Sequence, residues 1–175
     1  MSNKTRVFRP LGLTIAILTG IIAFSAYPLL KAYFAWRLNN CTTVDGFTCG
    51  STTFPFDALT QGIAGLGILV FITAIFAWRG KPPEVRFVFQ GSVLLTAFML
   101  VLESIIRIQG DKPTIWEGGI DSTVQLFESV LKGQIPILIL VALYIIWYCN
   151  RAPARAFYRQ EAMKTLREIM EENKE

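Results

Sequence analysis

Residues 58–78 read ALTQGIAGLGILVFITAIFAW, with no Asp, Glu, Lys or Arg among them. A helix needs roughly 20 apolar residues to cross about 30 Å of hydrocarbon. Lipid offers no partner to an open backbone N–H or C=O, so such a stretch crosses as an α-helix. Working outward, three more stretches have the same character. Residues 11–30 carry no charge, and the run extends to Tyr33 as an apolar span. Another begins near Phe87 and stays uncharged to Leu102. It reaches full length only by continuing through Glu103 and Arg107 to about Ile108. The shortest runs over 133–149. The expectation is an all-α integral membrane protein with four spans, at about 11–33, 58–78, 87–108 and 133–149, forming an up-down bundle over residues 1–152.

Composition agrees. Of 175 residues, 53% are hydrophobic and only 17% charged, against about 25% charged in soluble domains. Mean hydropathy is +0.45. The chain has no histidine, which removes His-ligated haem, His-containing zinc sites and His acid–base catalysis. The first apolar run exceeds the roughly 7–15 residues of a signal core, and Ala35-Trp36-Arg37 is a poor cleavage site, so it reads as a retained anchor.

Lys and Arg set the orientation. Lys4, Arg6 and Arg9 precede the first span, Arg79, Lys81 and Arg86 fill the loop after the second, and Arg151, Arg155 and Arg159 follow the fourth. With four crossings these clusters share one side, the cytoplasm, which also holds both termini of this cell-membrane protein. Tyr33 and Trp36 outside, and Trp78, Trp147 and Tyr148 inside, suit interfacial belts.

The first outer loop ends at Pro55 and Asp57, and Asp57 is a plausible N-cap for the second span. Cys41 and Cys49 share this loop, on the oxidising side, and their spacing suggests a disulfide. In the second outer loop Ser122 and Gln125 make a capping-box pattern. An apolar face follows at Val124, Phe127 and Leu131. This is either a short amphipathic helix at the outer surface or an extension of the fourth span bent near Gly133 and Pro136. After Pro153, residues 153–175 are rich in charge, with Ala162, Leu166 and Ile169 at helical spacing. They read as a cytoplasmic amphipathic helix. Arg151, Arg155 and Arg159 form a ladder for lipid headgroups.

Glu103 and Arg107 read as the charged residues within a span. Glu103 lies about 24 Å along the third helix at 1.5 Å per residue, close to the outer boundary, and the i,i+4 order favours an ion pair. Such a pair anchors the helix or lies on an ion or substrate path with Gln61 and Gln90. Ala58, Gly62 and Gly65 share a helix face and let a neighbouring backbone approach. Catalytic groups, metal ligands, cofactors and nucleic-acid binding find no support. A membrane enzyme acting at the outer surface through Glu103, Glu117 or Asp121 is the weakest reading. The leading one is a non-catalytic membrane subunit or scaffold packed into a homo- or hetero-oligomer, whose partners are the bilayer and other subunits or copies of itself. The alternative is a small oligomeric channel or transporter with a path along the second and third spans.

Overall fold

The four apolar stretches fold into four long helices, each long and apolar enough to cross a membrane. The chain is a multi-pass membrane helical bundle. A computed structural model describes residues 9–40, 56–80, 84–109 and 122–159, without the side chains at 38, 39 and 122–128. The first span consists of α1 (Leu11–Ile21), a π turn (Ile22–Ala26) and α2 (Tyr27–Asn39). It is followed by α3 (Ala58–Arg79), α4 (Val85–Gln109) and α5 (Ser122–Cys149). Residues 152–159 form a last helix, α6.

Neighbouring spans run in opposite directions. Arg9, ahead of α1, donates to the carbonyl of Trp78 at the end of α3. At the other end of the bundle, Lys31 of α2 meets Glu103 near the end of α4, and Thr60 at the start of α3 meets Arg107. The bundle thus has an Arg9 end and an Arg107 end. Gly80 closes α3 with φ 74°, and its N–H donates to the Phe76 carbonyl. That left-handed conformation is cheap only for glycine.

The π turn answers Pro28. Proline has no N–H, and its ring crowds the carbonyl four residues earlier. The ladder widens just before it, and the Tyr27 N–H reaches back to the Ile22 carbonyl. This turn presents the Ser25 carbonyl to α3. A Cβ on Gly67 would lie 3.2 Å from that oxygen, so the two backbones approach closely at Gly67.

Leu13, Ile17, Phe24, Val70, Phe89, Val93, Leu100 and Ile145 fill the core and are fully buried. Large apolar side chains also cover the outside, among them Ile68, Phe71, Leu94, Phe98, Leu140 and Leu143. A soluble protein would not expose such a surface, but lipid accepts it. Small hydroxyls bridge the interior. Thr73 Oγ1 lies 3.0 Å from Ser92 Oγ, linking α3 to α4.

Several boundaries differ from expectation. Of the two arrangements open for residues 122–131, the structure takes the extension: α5 begins at Ser122, runs unbroken to Cys149 and carries Pro136 inside it. The first four helical residues need no internal donor partner, but Pro136 lies well past them. The N–H it lacks removes one ladder bond, which membrane helices tolerate when neighbours resupply partners. The boundary expected at residue 152 is crossed by packing, because Ala154, Phe157 and Tyr158 of α6 are buried against the bundle. Their i, i+3, i+4 spacing makes one face, while Arg151, Arg155 and Arg159 point outward.

The disulfide is a correction. No disulfide occurs among the described residues, where Cys149 is a free, buried thiol. Cys41 and Cys49 lie outside them, as do Glu117, Asp121 and the tail beyond residue 159. Sequence spacing permits a small loop but does not bring two Cβ atoms within the roughly 3.5–4.5 Å that a disulfide requires. The pairing is therefore withdrawn.

Candidate functional site

At the Arg107 end, α4 carries Glu103 and Arg107 one turn apart, so their side chains share a face. That face turns inward, and Glu103 is only 1% exposed. Arg107 donates to Glu103 Oε1 from Nε at 2.8 Å and from Nη2 at 2.5 Å. The second carboxylate oxygen, Oε2, accepts from Lys31 Nζ at 2.8 Å. Arg107 Nη2 also donates to Thr60 Oγ1 at 3.1 Å and lies 4.0 Å from Asp57 Oδ2. Two cations and two carboxylates from α2, α4 and the start of α3 thus form one neutral cluster. Beside it Tyr27 Oη donates to Gln134 Oε1 at 3.0 Å, linking α2 to α5.

A lone carboxylate at this position would cost several kcal/mol in lost hydration. Here both oxygens have cationic donors, and charge-assisted bonds are roughly twice as strong as neutral ones. The arrangement therefore works as a tie between helices. Each Glu103 oxygen accepts from at least one cationic donor.

Lys31 is the member that sequence reading missed. Its signal was present, since Lys31 lies within the expected span 11–33 and Glu103 within 87–108, both close to the same membrane face. Opposite charges at equal depth on two spans are candidates for pairing.

Asp57 caps α3, accepting from the Thr60 N–H at 2.8 Å. Burial pushes its carboxyl up. The Thr60 backbone and hydroxyl bonds and the Arg107 charge outweigh that and hold it below its ordinary value of 3.8. A depressed folded pKa means the stabilisation is complete above that ordinary value and is lost as pH falls through the folded one. Asp57→Ala is expected to cost about 1 kcal/mol at neutral pH and to flatten this part of the acid dependence. Unfolding in detergent from about pH 7 to about pH 3 checks both.

The remaining polar residues do not converge on this cluster. Gln61 is exposed on the outside of α3. Gln90 sits at the opposite end, where its Oε1 lies 3.5 Å from Asn150 Nδ2. Between the two ends, Thr73, Ser92 and Thr96 each donate to a carbonyl of their own helix, which satisfies them locally. Among the described residues no group of three or more His, Cys, Asp or Glu could hold a metal ion.

Ala58, Gly62 and Gly65 are exposed on the same outer face of α3. A Cβ built on Gly62 or Gly65 meets nothing within 4 Å. The inner contact with the first span falls to Gly67 instead. The small-residue face therefore lies open to whatever surrounds the bundle.

The Arg9 end is built differently. The Arg9 guanidinium lies over the Trp78 ring at 4.2 Å from its centroid and 5.7 Å from that of Phe157, while also meeting the carbonyl end of α3, where a cation is favoured. Arg86 lies over Phe87 at 4.4 Å, and Arg151 over Trp147 at 3.8 Å. Tyr158 Oη donates to the Ala77 carbonyl at 3.1 Å. Burial pushes the Tyr158 phenol well above its ordinary value, opposed in part by the Arg9 and Arg86 charges. No protein-family model matches the chain, and no curated protein or solved structure does either.

Proposed function

We propose that this protein is a non-catalytic membrane subunit that packs into an oligomer, through the outer face of α3 that carries Ala58, Gly62 and Gly65. The observation behind this is the open space at Gly62 and Gly65, where an added Cβ touches nothing in the bundle. Glycine costs a helix about 1 kcal/mol relative to alanine. That cost has no return inside this bundle, but it has one where another helix backbone approaches closely in lipid. The exposed Gln61 on the same face adds an interhelical hydrogen-bonding group, worth about 0.6 kcal/mol on average in such a setting. The charge cluster supports the same reading, because the charged groups at the Arg107 end are paired with one another across α2, α4 and the start of α3.

The test pairs assembly with stability. Gly62→Leu with Gly65→Leu is expected to shift the protein to a smaller species by light scattering in mild detergent, with its unfolding temperature unchanged. A photocrosslinker at Gly65 should capture a second copy or another membrane subunit in native membranes. An unchanged assembly state together with no crosslinked product would defeat the reading.

In this proposal the Arg9 end faces the cytoplasm. Arg9, Arg79, Arg86, Arg151, Arg155 and Arg159 gather there, whereas the Arg107 end holds a balanced cluster, and the excess of Lys and Arg marks the inner side. Single cysteines placed at Asn3 and Lys174 should both be shielded from an impermeant thiol reagent in intact cells. Labelling of either one would reverse the assignment for that terminus.

A further inference from the structure

α6 starts where α5 ends. A turn at Asn150 and a bend at Arg151 separate the two, and the Arg155 N–H donates to the Arg151 carbonyl at 3.0 Å, so Arg151 is in register with α6. Further along, the helix reaches other parts of the bundle. Tyr158 Oη donates to the Ala77 carbonyl near the end of α3, and the Phe157 ring centroid lies 5.7 Å from the guanidinium of Arg9, ahead of α1. From Ala152 to Tyr158 a helix rises about 9 Å, the order of one spacing between packed helices. α6 therefore lies across the end of the bundle instead of continuing α5. The spans stand upright in a bilayer, so a helix across their end runs along the membrane surface.

The sides of α6 differ. Ala154, Phe157 and Tyr158 are buried against the bundle, whereas Arg151, Arg155 and Arg159 are exposed. At about 100° per residue, the three arginines form a stripe centred roughly 100° around the helix from the buried face. Sequence spacing puts them on one stripe, and docking gives that stripe a direction. With the buried face down on the bundle, the stripe points sideways along the surface, not up into water. Its near end is fixed at the lipid boundary. The Arg151 guanidinium lies 3.8 Å from the Trp147 ring centroid, and Trp147 is 53% exposed on the side of α5 that also bears exposed Leu140 and Leu143. At the level of an interfacial Trp, the lateral surroundings of a membrane bundle are lipid headgroups. Arginine reaches them with its stem on apolar surface and its charge at the interface.

We propose that the flank of α6 formed by Arg151, Arg155 and Arg159 is a docking surface for anionic phospholipid headgroups. The occupant is the leaflet beside the Arg9 end, whose negative phosphates complement three cations aligned along the surface. Guanidinium groups bind phosphate through paired N–H bonds. The surface is independent of the oligomer reading, because the glycine face lies toward the other end of α3.

For the test, the whole protein in detergent is titrated with phosphatidylglycerol and with phosphatidylcholine, and bound lipid is counted by native mass spectrometry. Wild type is expected to prefer phosphatidylglycerol, by a margin that shrinks as ionic strength rises. Each arginine at the surface is worth about fivefold, so Arg155→Gln with Arg159→Gln should cut the preference by about twentyfold or more. Arg37→Gln, which removes an exposed charge from α2 toward the Arg107 end, should change it less than about twofold. Unfolding temperatures in phosphatidylcholine micelles should agree for wild type and both variants, because Phe157 and Tyr158 still hold α6. A fall confined to the double variant would mean that the arginines hold α6 to the bundle and not to lipid, which overturns the proposal. Equal affinity of wild type for the two lipids overturns it too, as does equal loss with Arg37→Gln. If Glu168→Gln, Glu171→Gln and Glu172→Gln together create a preference that wild type lacks, the stripe serves the chain's own acidic tail and the proposal falls.

Discussion

Replacing Glu103 by leucine is expected to destabilise the bundle by about 3–5 kcal/mol, the cost of leaving buried partners without their counter-charge. Both Lys31 and Arg107 direct a donor at this carboxylate, which is 1% exposed. Without it, two like charges remain in a region where water is scarce. Arg107 keeps Asp57 at 4.0 Å, but Lys31 loses the carboxylate it pairs with among the described residues. Lys31→Met should therefore recover a large part of the loss when combined with Glu103→Leu, although on its own it is also destabilising. A double-mutant cycle on reversible unfolding in mixed micelles measures that coupling. A loss below about 1 kcal/mol for Glu103→Leu, the level of an exposed pair, would mean that water reaches the cluster and that it does not tie the helices together.

Phe89→Ala is expected to cost about 3–5 kcal/mol as well, by a different route. Phe89 is fully buried, and its ring lies in a notch left by Gly20. A Cβ at Gly20 would come within 2.9 Å of Phe89 Cζ and 3.4 Å of Ile145 Cδ1. This notch joins α1, α4 and α5. In lipid, helix association depends on close packing rather than on removing apolar surface from water, so a void there forfeits contacts outright. The reciprocal change checks the geometry. Gly20→Ala alone should destabilise by overpacking, and it should be better tolerated beside Phe89→Leu. Additive losses in that pair would show that the ring and the glycine do not share the notch.

The crossings were legible because lipid imposes a simple demand, about 20 apolar residues in a row, and residues 58–78 meet it without interruption. Depth along a helix was also legible, which placed Glu103 near a boundary. Its burial was not, because burial depends on which helix stands beside α4, and that is a matter of tertiary packing. Lys31 follows directly on a charge-free run and passes for a flank until α2 is seen against α4. The same limit applies to the glycines of α3. Their spacing marks a packing face, but Gly67 turns inward and Gly62 and Gly65 outward, a difference of rotation that no periodicity argument supplies without a neighbour. The docking of α6 had a local signal in Ala154, Phe157 and Tyr158, which the nearby proline and the charges of the tail obscured. The cysteine spacing carried less information than it suggested, because a permitted loop is not a formed bond.

The lysine of the first span and the glutamate of the third are 72 residues apart in the chain. At a synthesis rate of about 5–20 residues per second, roughly 4–14 s separate their emergence from the ribosome. For that interval the first helix must settle in the membrane with a bare ammonium near its end, supported only by water and headgroups. Its final depth is thus decided late, when the third helix arrives. Lys31→Met should make early insertion easier and completed assembly poorer.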